Sequence, residues 1–132
     1  MQVRVLGCYG GELPGFRTSC FLINNHILLD AGAVTSVLKL KDQMKIDYIL
    51  ITHSHLDHIK DILFLADNVC GKNSNTIKII STPKNLKMLK KHLLNNDIWP
   101  DFSVLPSKHT PVLELLPVNE GQRIRLRDIL IE

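Results

Sequence analysis

Four side chains able to ligate a metal ion fall within six residues, His53-Ser54-His55-Leu56-Asp57-His58. A short apolar run ends just before them at Thr52, and a helical pattern begins just after. At a strand end, residues two apart point the same way, so His53 and His55 can share one ion. Asp57 and His58, adjacent on the turn into the helix, can reach a second. Two ions ~3.5–4 Å apart can share a hydroxide and clamp an oxyanion. The position suits the task, because open α/β sheets place ligands at the carboxyl ends of their strands. The competing reading is a polar loop that is merely rich in histidine. Lone histidines usually are bland, but three with an aspartate at this spacing, between strand and helix, favour the metal site.

The elements that must hold these residues are legible from pattern. Val3 and Val5 alternate with polar neighbours, which predicts a half-buried strand over 2–7. Residues 8–19, with their glycines and a proline, read as a long loop. Cys20–Ile23 and Ile27–Asp30 flank Asn24-Asn25-His26, a hairpin signal because asparagine tolerates positive φ. Residues 34–43 read as a short helix. Tyr48-Ile49-Leu50-Ile51 reads as a buried strand leading into the motif. Leu56, Ile59, Ile62, Leu63, Leu65, Ala66 and Val69 then form one helical face, stopped at Gly71. Ile77–Ser81 is a second buried strand. Thr82-Pro83 caps a helix with its leucines inward and its lysines outward. After the break at Trp99-Pro100-Asp101, strands are expected over 112–116 and 123–127, joined by a turn at Asn119-Glu120-Gly121. The order is α/β.

Composition narrows the function. A length of 132 residues suits one domain, and 45% hydrophobic with 22% charged residues reads as an ordinary soluble globular protein. A net charge of +3 mildly favours an anionic substrate and does not argue for a nucleic-acid binder. Aromatic residues, at 5%, are too few for a single-strand stacking platform. No apolar run approaches the ~20 residues of a membrane span, and no signal peptide is read at Met1. Cys8, Cys20 and Cys70 are odd in number and lack C-x-x-C spacing, so reduced, partly buried cysteines are expected. A cytoplasmic location without membrane contact is the resulting expectation.

His53–His58 resembles the H-x-H-x-D-H signature of the metallo-β-lactamase superfamily. Leu29-Asp30-Ala31-Gly32 resembles its upstream aspartate motif. The form His-Ser-His-Leu-Asp-His-Ile, with Gly10-Gly11, Thr18-Ser19 and Trp99-Pro100-Asp101-Phe102, is similar to class II cyclic-nucleotide phosphodiesterases. Asp61 departs from that pattern, which has glycine or serine there. The resemblance implies the metallo-β-lactamase αββα sandwich, with residues 1–132 forming a single, partial domain that corresponds to its N-terminal αβ half. It implies a phosphodiesterase that cleaves 3′,5′-cyclic nucleotides through a hydroxide bridging two divalent metal ions, zinc foremost, with manganese or iron as alternatives. His53, His55, Asp57 and His58 would be ligands, Asp57 would also handle a proton, and Asp30 would support the site.

In such relatives a third histidine, a bridging aspartate and a last histidine come from the second half of the fold. Each ion would thus draw two ligands from this chain, and the uncovered inner face would drive self-association into a homo-oligomer. The substrate expected is a small anionic phosphodiester rather than a nucleic acid. The alternatives are another hydrolase on the same scaffold, or a non-catalytic half-domain. A transfer RNA 3′-processing nuclease or arylsulfatase-like protein would share Arg17-Thr18-Ser19 but usually has glycine at the place of Leu56; a lactonase is a further possibility.

Other residues are weaker candidates. His109 lies in a loop that could approach the site. His26 reads as a hairpin tip, His92 as part of a solvated helix face, and Gly10-Gly11 as a plain loop before an anion nest. Thr18 and Ser19 could orient site residues or simply serve turn hydrogen bonding. The lysines of 84–91 read as a solubilising surface, and nothing around Asp128 supports a ligand role.

Overall fold

A computed structural model describes residues 1–72 and 75–132. Six strands form one sheet: β1 (Val3–Gly7), β2 (Cys20–Ile23), β3 (Ile27–Leu29), β4 (Tyr48–Leu50), β5 (Ile77–Ser81) and β6 (Leu113–Pro117), in spatial order β1-β2-β3-β4-β5-β6. The first three pair antiparallel, and β3 to β6 run parallel. Three helices lie between strands: α1 (Leu40–Gln43), α2 (Leu56–Val69) and α3 (Pro83–His92). A separate two-stranded ribbon, β7 (Ile124–Leu126) with β8 (Ile129–Ile131), follows β6.

The parallel strands are mostly apolar because both faces of the sheet are covered, with Lys78 and Glu114 the charged residues among them. Alternate residues go to opposite sides. Leu28, Ile49, Ile77, Ile79 and Leu113 pack with Ile59, Ile62 and Leu65 of α2 and Leu86 and Leu89 of α3. Ile27, Tyr48, Leu50, Ile80 and Leu116 pack under Ile124, Leu126, Ile129 and Ile131 of the ribbon. The strand expected over 2–7 is present as β1, but Val3 and Val5 are 51% and 57% exposed. They pair with Ile23 and Phe21 on the ribbon side of the sheet, and the ribbon does not reach this edge.

The hairpin forms where expected, with Asn24 and Asn25 at φ 46° and 63°. Helix α2 stops before Gly71, whose φ is 71°. Thr82 caps α3 by accepting from the Asn85 N–H, with proline at the first helical position. Two expectations need correction. The helix expected over 34–43 is helical only at Leu40–Gln43. The N–H groups of Val37 and Leu38 both bond to the Val34 carbonyl, closing a single turn, and Lys39 is extended. The β-branched run Val34-Thr35 and Val37 lowers helix propensity there. The strand at 123–127 pairs not with β6 but with β8, through a two-residue turn at Arg127-Asp128 with Arg127 at φ 52°. Its apolar residues complete the second face of the sheet rather than extending its edge.

Ile49, fully buried at the centre of β4, touches the helix-side core. Ile49→Ala should lower the free energy of unfolding by about 3 kcal/mol, read from urea denaturation followed by circular dichroism.

Candidate functional site

The motif sits where β4 ends. Ile51 is still buried, its N–H bonded to the Ile80 carbonyl, and the chain then leaves the sheet. His55 takes the N-cap position of α2 without using its ring as a cap, and its side chain stays exposed. Asp57 and His58 fall in the first helical turn, where a carboxylate also suits the helix dipole.

The geometry gathers the four residues. The His53 ring centroid lies 4.5 Å from that of His55 and 4.1 Å from that of His58. Asp57 Oδ2 lies 3.3 Å from His58 Nε2. Among the described residues, no three histidine, cysteine, aspartate or glutamate side chains converge on one point. His53 thus stands beside both His55 and His58, and Asp57 beside His58.

Asp30 organises them. Its φ of 57° turns it out of the strand path, a conformation that aspartate tolerates better than most residues. Its buried carboxylate accepts from Thr52 N–H at 2.9 Å and lies 2.7 Å from His58 Nδ1. The Thr52 hydroxyl lies 2.9 Å from Asp30 Oδ2 and 3.0 Å from His53 Nδ1. An ionised carboxylate only accepts and a hydroxyl has one proton, so Thr52 donates to Asp30 and accepts from His53 Nδ1–H. His58 Nδ1–H donates to Asp30 directly. Both rings are thereby set in the tautomer that leaves Nε2 bare, the way metal-binding imidazoles are oriented by outer carboxylates. On His58 that lone pair faces Asp57 Oδ2, another acceptor. Two facing acceptors at 3.3 Å call for a cation between or beside them, a proton or a metal ion. The donor set thus fits divalent ions in its chemistry, with four protein donors in all where each catalytic zinc takes three and a water.

Backbone contacts fix where α2 starts. A Cβ on Gly32 would stand 2.0 Å from the Asp57 carbonyl oxygen, so only glycine allows this approach. Ala31 N–H donates to the His58 carbonyl at 2.7 Å. The Thr18 hydroxyl, buried, donates to the Gly32 carbonyl at 2.7 Å, and Gly32 N–H donates to the Ser19 carbonyl. Thr18 and Ser19 therefore act through the glycine.

The other candidates lie elsewhere. The loop of His109 lines a cavity, through Pro106, Thr110 and Pro111, together with Val69 and Gly71. That is the far end of a 14-residue helix, some 20 Å from the motif. His26 Nδ1 is tied to the Asn24 carbonyl at the hairpin tip, and Asp128 accepts from Asn24 at the same pole. His92 is exposed at the end of α3, and Gly10 and Gly11 have open space around them. Lys90 departs from the reading of a solubilising lysine surface: it pairs with Asp101 and Ser103 and pins the turn after Pro100. Burial acts to raise the Asp101 pKa, but the Lys90 ammonium and the Ser103 hydroxyl outweigh it and hold the carboxyl below its usual range. Cys8 is exposed, Cys20 buried and Cys70 half-buried, and all three are free. Burial pushes the Cys20 thiol up to about 12, which keeps it protonated and inert.

The role of Thr52 was not foreseen from sequence. Its signal, a hydroxyl between a strand and the first histidine, is common in turns and carries meaning only beside Asp30.

Comparison with known proteins places the chain in a family and a fold. Residues 32–122 match the family model of class-II cAMP phosphodiesterases. The chain is 34% identical over 59 residues to 3′,5′-cyclic-nucleotide phosphodiesterase 1 of Saccharomyces cerevisiae, covering 44% of this chain and 16% of that protein. It is 30% identical over 102 residues to the probable metallo-hydrolase YhfI of Bacillus subtilis, covering 69% of this chain and 42% of that protein. The crystal structure of unliganded yeast PDE1 superposes with a TM-score of 0.75 at 19% identity, covering 96% of this chain and 52% of the other. The structure of YhfI, a metallo-β-lactamase fold protein, gives 0.64 at 22% identity, covering 95% and 49%. The fold is therefore the metallo-β-lactamase fold, and the chain spans about half the length of these solved relatives.

Gly32→Ala should destabilise the protein by about 1–3 kcal/mol, the scale of overpacking, because either the Asp57 carbonyl or the 30–35 segment must move. Thermal denaturation checks this, with Gly10→Ala as the control that should change little.

Proposed function

The chain belongs to the class-II cAMP phosphodiesterase family, a family of hydrolases, and from that premise we propose that its His53–His58 segment is part of a metal centre that hydrolyses 3′,5′-cyclic nucleotides. The observation that carries this reading is the Asp30 network, which turns Nδ1 of both His53 and His58 inward and leaves Nε2 of each free to bind.

His53 and His55 would hold one divalent ion, and Asp57 and His58 a second, with zinc first and manganese or iron as alternatives. When bound, the ions supply Lewis acidity and a nucleophile at neutral pH. The chain's own residues set the stage. Asp30 holds the His58 ring and its tautomer, and Thr52 does the same for His53. Gly32 lets the Asp57 backbone seat against the 30–35 segment, which fixes the start of the helix. The second carboxylate oxygen of Asp57 is available to take or return a proton at the reacting phosphate. Exposure of His55 and the open strand ends leave room for a small phosphodiester anion.

In the intact protein, elemental analysis should find two transition-metal ions per chain after purification without chelator; trace metal only, even after incubation with zinc or manganese, would sink the proposal. His55→Ala should weaken metal binding far more than His109→Ala, because only His55 neighbours another donor. Asp57→Ala should stay folded and lose at least ~100-fold in turnover of bis-p-nitrophenyl phosphate, the scale of removing one aligned electrostatic group. Turnover of cyclic AMP, measured against precursor transfer RNA, separates the phosphodiesterase from a nuclease on the same scaffold.

A further inference from the structure

Asp61 is a carboxylate on the inward face of α2, only 2% exposed, where the apolar pattern of the helix offers no reason for one. Its Oδ2 accepts from Thr35 N–H at 2.8 Å and from the Thr35 hydroxyl at 3.1 Å. Its Oδ1 accepts from Lys60 Nζ at 3.2 Å, and Lys60 also reaches Glu12 of the glycine-rich loop at 3.4 Å. A buried carboxylate must be paired in this way or be expelled. What matters is where these partners lie. Thr35 ends the segment that begins at Asp30, and that segment runs along the first turn of α2. Between its two ends, Ala31 donates to the His58 carbonyl and accepts from the Asp61 N–H at 3.0 Å, and Gly32 abuts the Asp57 carbonyl. One end of the strip is tied to α2 by Asp30 and His58, the other by Thr35 and Asp61.

We propose that Asp61 is a positioning residue for the Asp57–His58 pair. It clamps the Ala31–Thr35 strip against the first turn of α2 and so fixes the spacing between Asp57 Oδ2 and His58 Nε2. Lys60 is its charge partner and extends the clamp to Glu12. The inference rests on reading His53–His58 as a metal centre, and it adds to that centre a residue that touches neither metal nor substrate. A purely structural carboxylate would affect melting alone; a positioning one must also alter how the pair receives an ion.

The test uses the intact protein with cobalt(II) alone as probe, following its affinity by chelator competition and its visible absorption. Asp61→Ala should bind cobalt about 10-fold more weakly or worse, with a changed spectrum, the usual consequence of losing an outer partner of a metal site. Asp61→Asn, which keeps an oxygen for the Thr35 N–H, should recover most of the affinity; an asparagine variant no better than alanine overturns the geometric account. Thr35→Val removes one of the two bonds from Thr35 and should weaken binding about 3-fold, the scale of a single hydrogen bond. It decides the matter should the alanine variant not fold, and unchanged affinity and spectrum in it overturn the proposal. Wild-type binding lost in His55→Ala but kept in Asp61→Ala overturns the role of Asp61 alone. Absence of cobalt binding by the wild type overturns the metal-centre reading, and the role of Asp61 with it.

Discussion

A buried carboxylate must find donors, and the donors that Asp30 finds decide the geometry of everything near it. The Thr52 amide, the Thr52 hydroxyl and the His58 ring all point at it. Leaving such a charge unpaired inside a protein is far more costly than any single turn or cap is worth. The backbone therefore bends to serve it. Asp30 accepts a left-handed conformation, Thr52 turns its amide back from the strand, and the helix after the motif begins where His58 can reach. The same hydrogen bonds choose the imidazole tautomers, so the folding of the chain and the chemistry of its rings are settled by one anion.

The sheet contributes direction. Parallel strands β4 and β5 send their carboxyl ends to one pole, and the loops that follow are free of ladder bonds there. The motif loop and the Asp30–Thr35 strip both emerge at this pole. The hairpin tip at Asn24–His26 and the Arg127–Asp128 turn gather at the other, where Arg127 pairs with Asp47. The histidines of the two poles look alike in composition and have nothing in common in surroundings.

Much of this could be read from the sequence, for reasons that differ by residue. The strands at 48–50 and 77–81 announce themselves because burial on both faces demands mostly apolar, β-branched residues, Lys78 being the one charge among them. Asn24-Asn25 marks the hairpin by its tolerance of positive φ, and Thr82-Pro83 marks the start of α3 by cap chemistry. The motif is visible because its ligands are close in sequence. What was not legible depends on contacts distant in sequence. Val3 and Val5 alternate like a half-buried strand, yet their burial depends on how far a ribbon more than a hundred residues away extends. Asp61 stands out only as a departure from the family pattern until Thr35 is known to donate to it. Lys90 resembles its exposed neighbours until the chain turns back at Pro100 and brings Asp101 to it. The pairing of β7 with β8 was hidden because the two strands are only three residues each and the last lies at the end of the chain.

Strand β3 is antiparallel to β2 and parallel to β4, and that change of direction divides the chain by the order in which it can assemble. The β2–β3 hairpin closes over three residues, a contact that forms quickly and locally. The β3–β4 pairing closes a much longer loop through α1, and such non-local parallel contacts form slowly because the entropy of closure precedes any gain. Asp30 lies on the early side of this boundary, and Thr52 and His58 lie on the late side. The imidazoles therefore acquire their fixed tautomers only when the slow step is complete. An ion that needed those tautomers would have little to bind in a chain caught before it, and would reward the finished junction and not the hairpin.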